Sequence, residues 1–122
     1  MPKQDCADLN SLTKRLIEFR DERNWQQFHS LKDLIISLNL EASELLELTQ
    51  WKDADSFEAS VSEGKGRQDL EEECADVLLY LLLVAEKSGI DLLKVASDKI
   101  DKNAQKYPVD KAKGNAKKYT QL

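Results

Sequence analysis

Two stretches of this chain place carboxylates where an apolar helix face is expected. Leu34, Leu38, Glu41, Leu45 and Leu48 are spaced by four, three, four and three residues, so they share one helical face with Glu41 in its middle. Leu70, Glu73, Val77, Leu81 and Val84 make a second seam of the same kind, with Glu73 inside it. Each intruding acid has a companion one turn on, Glu44 after Glu41 and Asp76 after Glu73, and side chains at i and i+3 lie on the same side of a helix. A carboxylate that faces a core takes up a proton or finds a partner. No lysine or arginine is interleaved with these four acids. Two packed helices would therefore crowd like charges, and a divalent cation relieves that crowding. Oxygen ligands select hard ions; Mg²⁺ suits a site that keeps waters and shares oxygens with phosphates, with Mn²⁺ as a possible substitute. Spacing alone also allows both pairs to sit at the edge of the apolar stripe and face solvent.

The rest of the chain reads as helices with short connections. Gly and Pro are scarce, four and two in 122 residues, which favours long helices over many short strands. Leu9, Leu12, Leu16 and Phe19 predict a first helix over about Asp8 to Arg23, with Arg15, Glu18, Arg20 and Asp21 on its other faces. Ser30 is placed to cap a second helix over about Leu31 to Lys52. Asp53 to Gly66 is a polar connection with a helical turn around Phe57 and Val61. A third helix follows over about Arg67 to Lys87, ended by Gly89 as a left-handed cap, and a fourth over Leu92 to about Lys106, opened by Asp91 and stopped by Pro108. Residues 109–122 read as an irregular, lysine-rich tail. The expected fold is all-α, a single domain over 1–122 with a bundle of about four main helices. Helices two and three are too apolar for burial on one side, so a second chain is expected to cover them.

Composition narrows the function classes. A net charge of −5 disfavours general nucleic-acid binding, which needs a basic surface. Glu41 to Asp76 holds twelve acids against three bases, whereas Lys99 to the end holds seven lysines, a division that suits a metal and its phosphates or simply a solvated charged surface. Cys6 and Cys74 have no metal-ligand spacing, and Cys74 is expected as a small core or interface residue. The polar N-terminus lacks the apolar stretch of a signal peptide, and the longest apolar run, Val77 to Ala85, is too short for a membrane span. A cytoplasmic protein is the expectation. His29 is the one histidine, outside any Glu-x-x-His motif, which disfavours a di-iron bundle and nucleophilic triads.

Glu41-Ala-Ser-Glu44 followed by Glu73-Cys-Ala-Asp76 resembles the ExxE…ExxD signature of the MazG-like all-α nucleotide pyrophosphohydrolases. The similarity extends through Phe19 to His29, Gln50-Trp51-Lys52, Asp76 to Tyr80, Asn103 to Pro108 and Lys118-Tyr119-Thr120, a pattern similar to the dCTP pyrophosphatase branch of that family. The resemblance implies hydrolysis of a (deoxy)nucleoside triphosphate, dCTP or a related nucleotide, to monophosphate and pyrophosphate. It implies Mg²⁺ as cofactor and a homodimer or homotetramer as the assembly. It also implies Glu41, Glu44, Glu73 and Asp76 as metal ligands, Trp25, Trp51 and Tyr80 as walls of the base and sugar pocket, and Asn103 and Tyr107 near the nucleotide. One departure matters: mammalian members of the branch carry a nucleotide-contacting histidine where this chain has Leu16, so base selectivity is less fixed than reaction type.

The residues support that chemistry in their own right. A cation neutralises the triphosphate, and a carboxylate left partly free orients or deprotonates water; Glu41 is the first candidate and Glu44 the second. Trp25 and Trp51 offer flat faces for stacking, although Trp25 also fits as a staple between loop and helix and Trp51 as a packing residue. Tyr80, four residues after Asp76, shares its side of the helix and without the family would read as core. His29 can contact a base edge, and Lys106, with Lys99 and Lys102 on about one face, can draw in phosphates or merely be solvated. The rival readings are a hydrolase of dUTP or a modified nucleotide on the same fold, and a non-catalytic regulatory module stabilised by a cation.

Overall fold

The computed structural model describes residues 6–122. Residues 1–5, part of the N-terminal stretch read above as lacking a signal peptide, lie outside the described residues. All regular elements among the described residues are helical: α1 Leu9–Glu22, α2 Leu31–Glu47, α3 Ala54–Ser60, α4 Gly64–Ser88, α5 Leu92–Lys106 and α6 Val109–Ala112, with 3₁₀ turns at Trp25–Phe28 and Tyr119–Gln121. None of these helices is long and apolar enough to cross a membrane.

Short-range capping chemistry sets most of these boundaries. Asp8 opens α1 with a capping box shared with Ser11, and Ser30 opens α2 by accepting from the Asp33 N–H at 3.0 Å. Asp53 and Asp91 cap α3 and α5 in the same way, and Gly89 ends α4 at φ 70°. Three boundaries depart from the sequence reading. The turn expected near Phe57 is a full helix, because Asp53 caps it and the Ser56 side chain bonds back to the Asp53 carbonyl. Helix α4 starts at Gly64, three residues earlier than expected. Gly66 allows this, since a Cβ there would collide with the Ser60 carbonyl. Helix α2 stops at Glu47 and not near Lys52, because the chain turns through Leu48–Trp51 and puts Trp51 at φ 63°. The tail is likewise not wholly irregular, since it holds α6 and the final 3₁₀ turn.

The chain divides into two compact units, one ending at Gly89 and one over Ile90–Leu122. In the first unit α2 packs chiefly on α4, and α1 also packs on α4. Leu34 of α2 and Leu82, Leu83 and Ala85 of α4 form its buried apolar core. Arg20 is buried too, at 5% exposure, which corrects its assignment to an outer face of the first helix. Its guanidinium reaches Asp21 at 2.9 Å and Glu86 of α4 at 3.2 Å, so burial comes with paired charge. Cys74 is exposed, so within this chain it is not a core residue. Ile35, Ile36, Leu40 and Leu46 of α2 and Leu78 and Leu81 of α4 remain exposed, an apolar surface that this chain does not cover itself. In the second unit the tail folds onto α5. The Tyr107 and Tyr119 rings meet edge to face at 6.2 Å, and Lys106 Nζ lies 4.9 Å from the Tyr119 ring centroid.

Candidate metal centre and adjoining groove

The seam of α2 faces α4, and this packing brings the acids of both helices together. Leu34, Leu38, Leu45 and Leu48 are all buried or half-buried, and Glu41 sits half-buried among them. Leu70, Val77 and Val84 are half-buried on α4, with Glu73 between them. One carboxylate oxygen from each of Glu41, Glu73 and Asp76 falls within 4.8 Å of the others. Glu44 is exposed and stands outside that group of three, yet it lies close enough to act on both Glu41 and Glu73.

Burial and like charge leave their mark on these groups. Burial first, then Glu44, Asp76 and Glu73, pushes the Glu41 carboxyl up to about 7. Burial and then the Glu44 charge raise Glu73 as well. Glu41 Oε2 and Glu73 Oε2 are each buried without a hydrogen-bond partner. An unpartnered buried carboxylate oxygen costs several kcal/mol in general, so pairs of them in one place call for a ligand that supplies positive charge. A hard divalent cation fits this donor set: only carboxylate oxygens, from two rigid helices, with Asp76 exposed on the side where waters and phosphates would enter.

A groove of about 240 Å³ begins at Asp76 and is lined by Leu16, Phe19, Arg20, Trp25, His29, Leu79, Tyr80 and Leu83. Asp76, Leu79, Tyr80 and Leu83 lie along one side of α4, so the groove runs two helical turns from the acids. Leu16, Phe19 and Arg20 form the α1 wall. The 3₁₀ turn supplies Trp25, which follows Asn24 in a left-handed bend and meets Phe19 edge to face at 5.6 Å. Trp25 keeps 44% of its surface exposed, so it is partly a staple to α1 and partly an open aromatic face. His29 has Nδ1 buried without a partner; burial and the Arg20 and Lys87 charges push it below the ordinary histidine value, towards the neutral imidazole.

The structure thus gathers Trp25, His29 and Tyr80 beside Asp76, and the three acids with Glu44 at their edge. It does not bring Trp51 to the groove. Trp51 is 99% exposed on the turn after α2, so it packs against nothing in this chain. Asn103, Lys106 and Tyr107 belong to the second unit, where Lys106 and Tyr107 hold Tyr119 of the tail. Phe19, Arg20, Leu79 and Leu83 are groove residues that sequence reasoning missed, and Arg20 is the charged one among them. Its only sequence-level signal was a charge next to Phe19 on a helix whose partner was not yet known.

Known proteins resemble this chain in sequence and in fold. The sequence pattern of the MazG-like family matches residues 36–122, which include all four acids. A dCTP pyrophosphatase 1 of Rattus norvegicus is 40% identical over 114 residues, 93% of this chain and 67% of that protein. The Homo sapiens dCTP pyrophosphatase 1 is 36% identical over the same shares of each. A crystal structure of a pyrophosphatase from Archaeoglobus fulgidus DSM 4304 superposes with a TM-score of 0.76 at 36% identity, covering 88% of this chain and 99% of that one.

Proposed function

Because this chain belongs to the MazG-like family, we propose that it is a nucleoside triphosphate pyrophosphohydrolase that converts dCTP or a closely related nucleotide to the monophosphate and pyrophosphate. The carrying observation is the pair of buried, unpartnered carboxylate oxygens on Glu41 and Glu73, gathered with Asp76 at the mouth of a groove of about 240 Å³. Glu41, Glu73 and Asp76, with Glu44 beside them, would hold a divalent cation, Mg²⁺ by preference and Mn²⁺ as a substitute. When bound, that cation offsets the negative charge of the triphosphate and of the departing pyrophosphate.

The chain's own residues do the rest. Water attacks the α-phosphorus, the bond from that phosphorus to the bridging oxygen of the β-phosphate breaks, and pyrophosphate leaves with the electron pair. The proton of the water passes to a carboxylate, for which Glu41 is the first candidate and Glu44 the second. Trp25 stacks on the base, while Tyr80 and His29 flank it in the same groove. Trp51 projects away from this chain and serves a base only across a subunit boundary. Asn103 and Tyr107 are assigned to the nucleotide on the family resemblance, and Lys106 to its phosphates on charge.

The enzyme is further proposed to be a cytoplasmic homodimer or homotetramer, since the exposed side chains of Ile35, Ile36, Leu40 and Leu46 on α2 need a cover and a second copy provides one. Light scattering at micromolar concentration is expected to give a dimer or tetramer mass; a clean monomer sinks the assembly proposal. The activity is tested by incubating the protein with each common NTP and dNTP plus Mg²⁺ and quantifying products. dCTP should yield dCMP and pyrophosphate. Diphosphate with orthophosphate as products would reject the cleavage site, and no turnover of any nucleotide would reject the enzyme.

A further inference from the structure

Arg20 is the one buried charged side chain among the residues that line the groove. A guanidinium carries five N–H donors in a fixed plane. Nε is committed to Asp21 Oδ1 at 2.9 Å and Nη1 to Glu86 Oε2 at 3.2 Å. Nη2 makes no hydrogen bond among the described residues, yet it is not one of the buried polar atoms left without a partner. Arg20 lines the groove, and Nη2 is the guanidinium nitrogen left for a ligand there.

The position of this donor set is informative. Of the three α1 residues in the wall, Leu16 and Phe19 are apolar, so Arg20 alone can read a polar edge from that side. The α4 wall runs from Asp76 to Leu83, two helical turns or about 10 Å of rise, and Arg20 is anchored beyond Leu83 by Glu86. A nucleotide with its phosphates at the acids would lay its base at this far end, beside Trp25 and His29. The anchor matters because a bare guanidinium would swing. Two carboxylates fix its plane and leave the outer donors pointing one way.

We infer that Arg20 is a specificity-determining residue that reads the base edge, selecting cytosine through the adjacent acceptors N3 and O2. Among the pyrimidines only cytosine offers two neighbouring acceptors there. Uracil and thymine place an N3–H donor against the guanidinium, and two donors facing one another are left unsatisfied. The unpartnered Nδ1 of neutral His29 supplies an acceptor in the same groove, a match for the exocyclic amino group of cytosine. This inference rests on the reading that the groove takes the base of a nucleoside triphosphate.

The test measures kcat/KM for dCTP and dUTP with Mg²⁺, and equilibrium binding of dCMP and dUMP, on the wild type and Arg20→Lys. Lysine keeps the charge facing Glu86 and loses the planar fork. The dCTP over dUTP preference is expected to fall about tenfold to a hundredfold, through KM for dCTP, and the preference for dCMP over dUMP in binding is expected to fall with it. A folded Arg20→Lys with the wild-type preference overturns the role of Arg20 and leaves the hydrolase reading standing. A wild type that turns over nucleotides with no preference for dCTP over dUTP overturns the selectivity alone, whereas no nucleotide turnover sinks both. If Arg20→Lys does not fold, the wild type is assayed with 3-deaza-dCTP, which lacks the N3 acceptor. A loss of about tenfold or more against dCTP supports the fork, and equal turnover overturns it.

Discussion

Glu41→Gln will lower nucleotide turnover by about a hundredfold to ten-thousandfold while leaving the melting temperature of the cation-free protein unchanged or higher. Glutamine keeps the shape of the side chain and one carbonyl oxygen, so the α2 to α4 packing around Leu38 and Leu45 is preserved. What it removes is one negative charge among four and the first candidate for accepting the proton of the attacking water. Burial and the Glu44, Asp76 and Glu73 charges already hold the Glu41 carboxyl up to about 7, so neutralising it relieves repulsion in the folded state. Activity and stability should therefore move in opposite directions. That divergence separates an enzyme from a helical module that uses a cation for strength. A structural site would lose melting temperature in the presence of Mg²⁺ and have no turnover to lose. Kinetics at saturating dCTP together with thermal melts, with and without chelator, check both halves; undiminished kcat in the variant would remove the acid cluster from the chemistry.

Much of the site was readable in the chain because it depends on local periodicity. Glu41 and Glu73 announce themselves by interrupting runs of Leu and Val at helical spacing, and the packing of two helices then has one natural outcome. The caps at Ser30, Gly89 and Asp91 were readable for the same reason, since each depends on neighbours within three or four residues. What escaped depends on distant partners. Arg20 looks like a solvated residue until Glu86, 66 positions later, is known to receive it. The end of α2 escaped because Leu48 continues the apolar pattern, while the bend that puts Trp51 at positive φ leaves no mark in hydrophobicity. Helix α3 was underread because its one strong signal, the Asp53 cap, sits in a stretch otherwise rich in serine and glycine. Trp51 shows the limit most clearly: it is 99% exposed on the bend after α2, a placement that periodicity does not encode.

Cation binding and acidity should act on the stability of this protein in opposite pH ranges. An unfolded glutamate titrates near its ordinary 4.5, whereas folded Glu41 titrates at about 7. Between those values the folded state binds more protons than the unfolded one. Stability linked to this group is thus fully present below the unfolded value and is lost as pH rises through about 7. Glu73, also raised, acts in the same direction. For Glu41 alone, solvent screening at a half-buried site reduces the effect to about 1–2 kcal/mol, a melting-temperature change of a few degrees. A divalent cation reverses the trend, because it binds the ionised carboxylates and stabilises the folded state in proportion to its occupancy. Millimolar Mg²⁺ should raise the melting temperature at pH 7.5 by more than it does at pH 5.5. The decisive quantity is the difference between wild type and Glu41→Gln. The variant should lose most of the pH slope between 5 and 7.5 in chelator, and most of the Mg²⁺ increment at pH 7.5. Parallel slopes in the two proteins would mean that the four acids do not crowd one another in the folded state, and the case for a shared cation would fall with them.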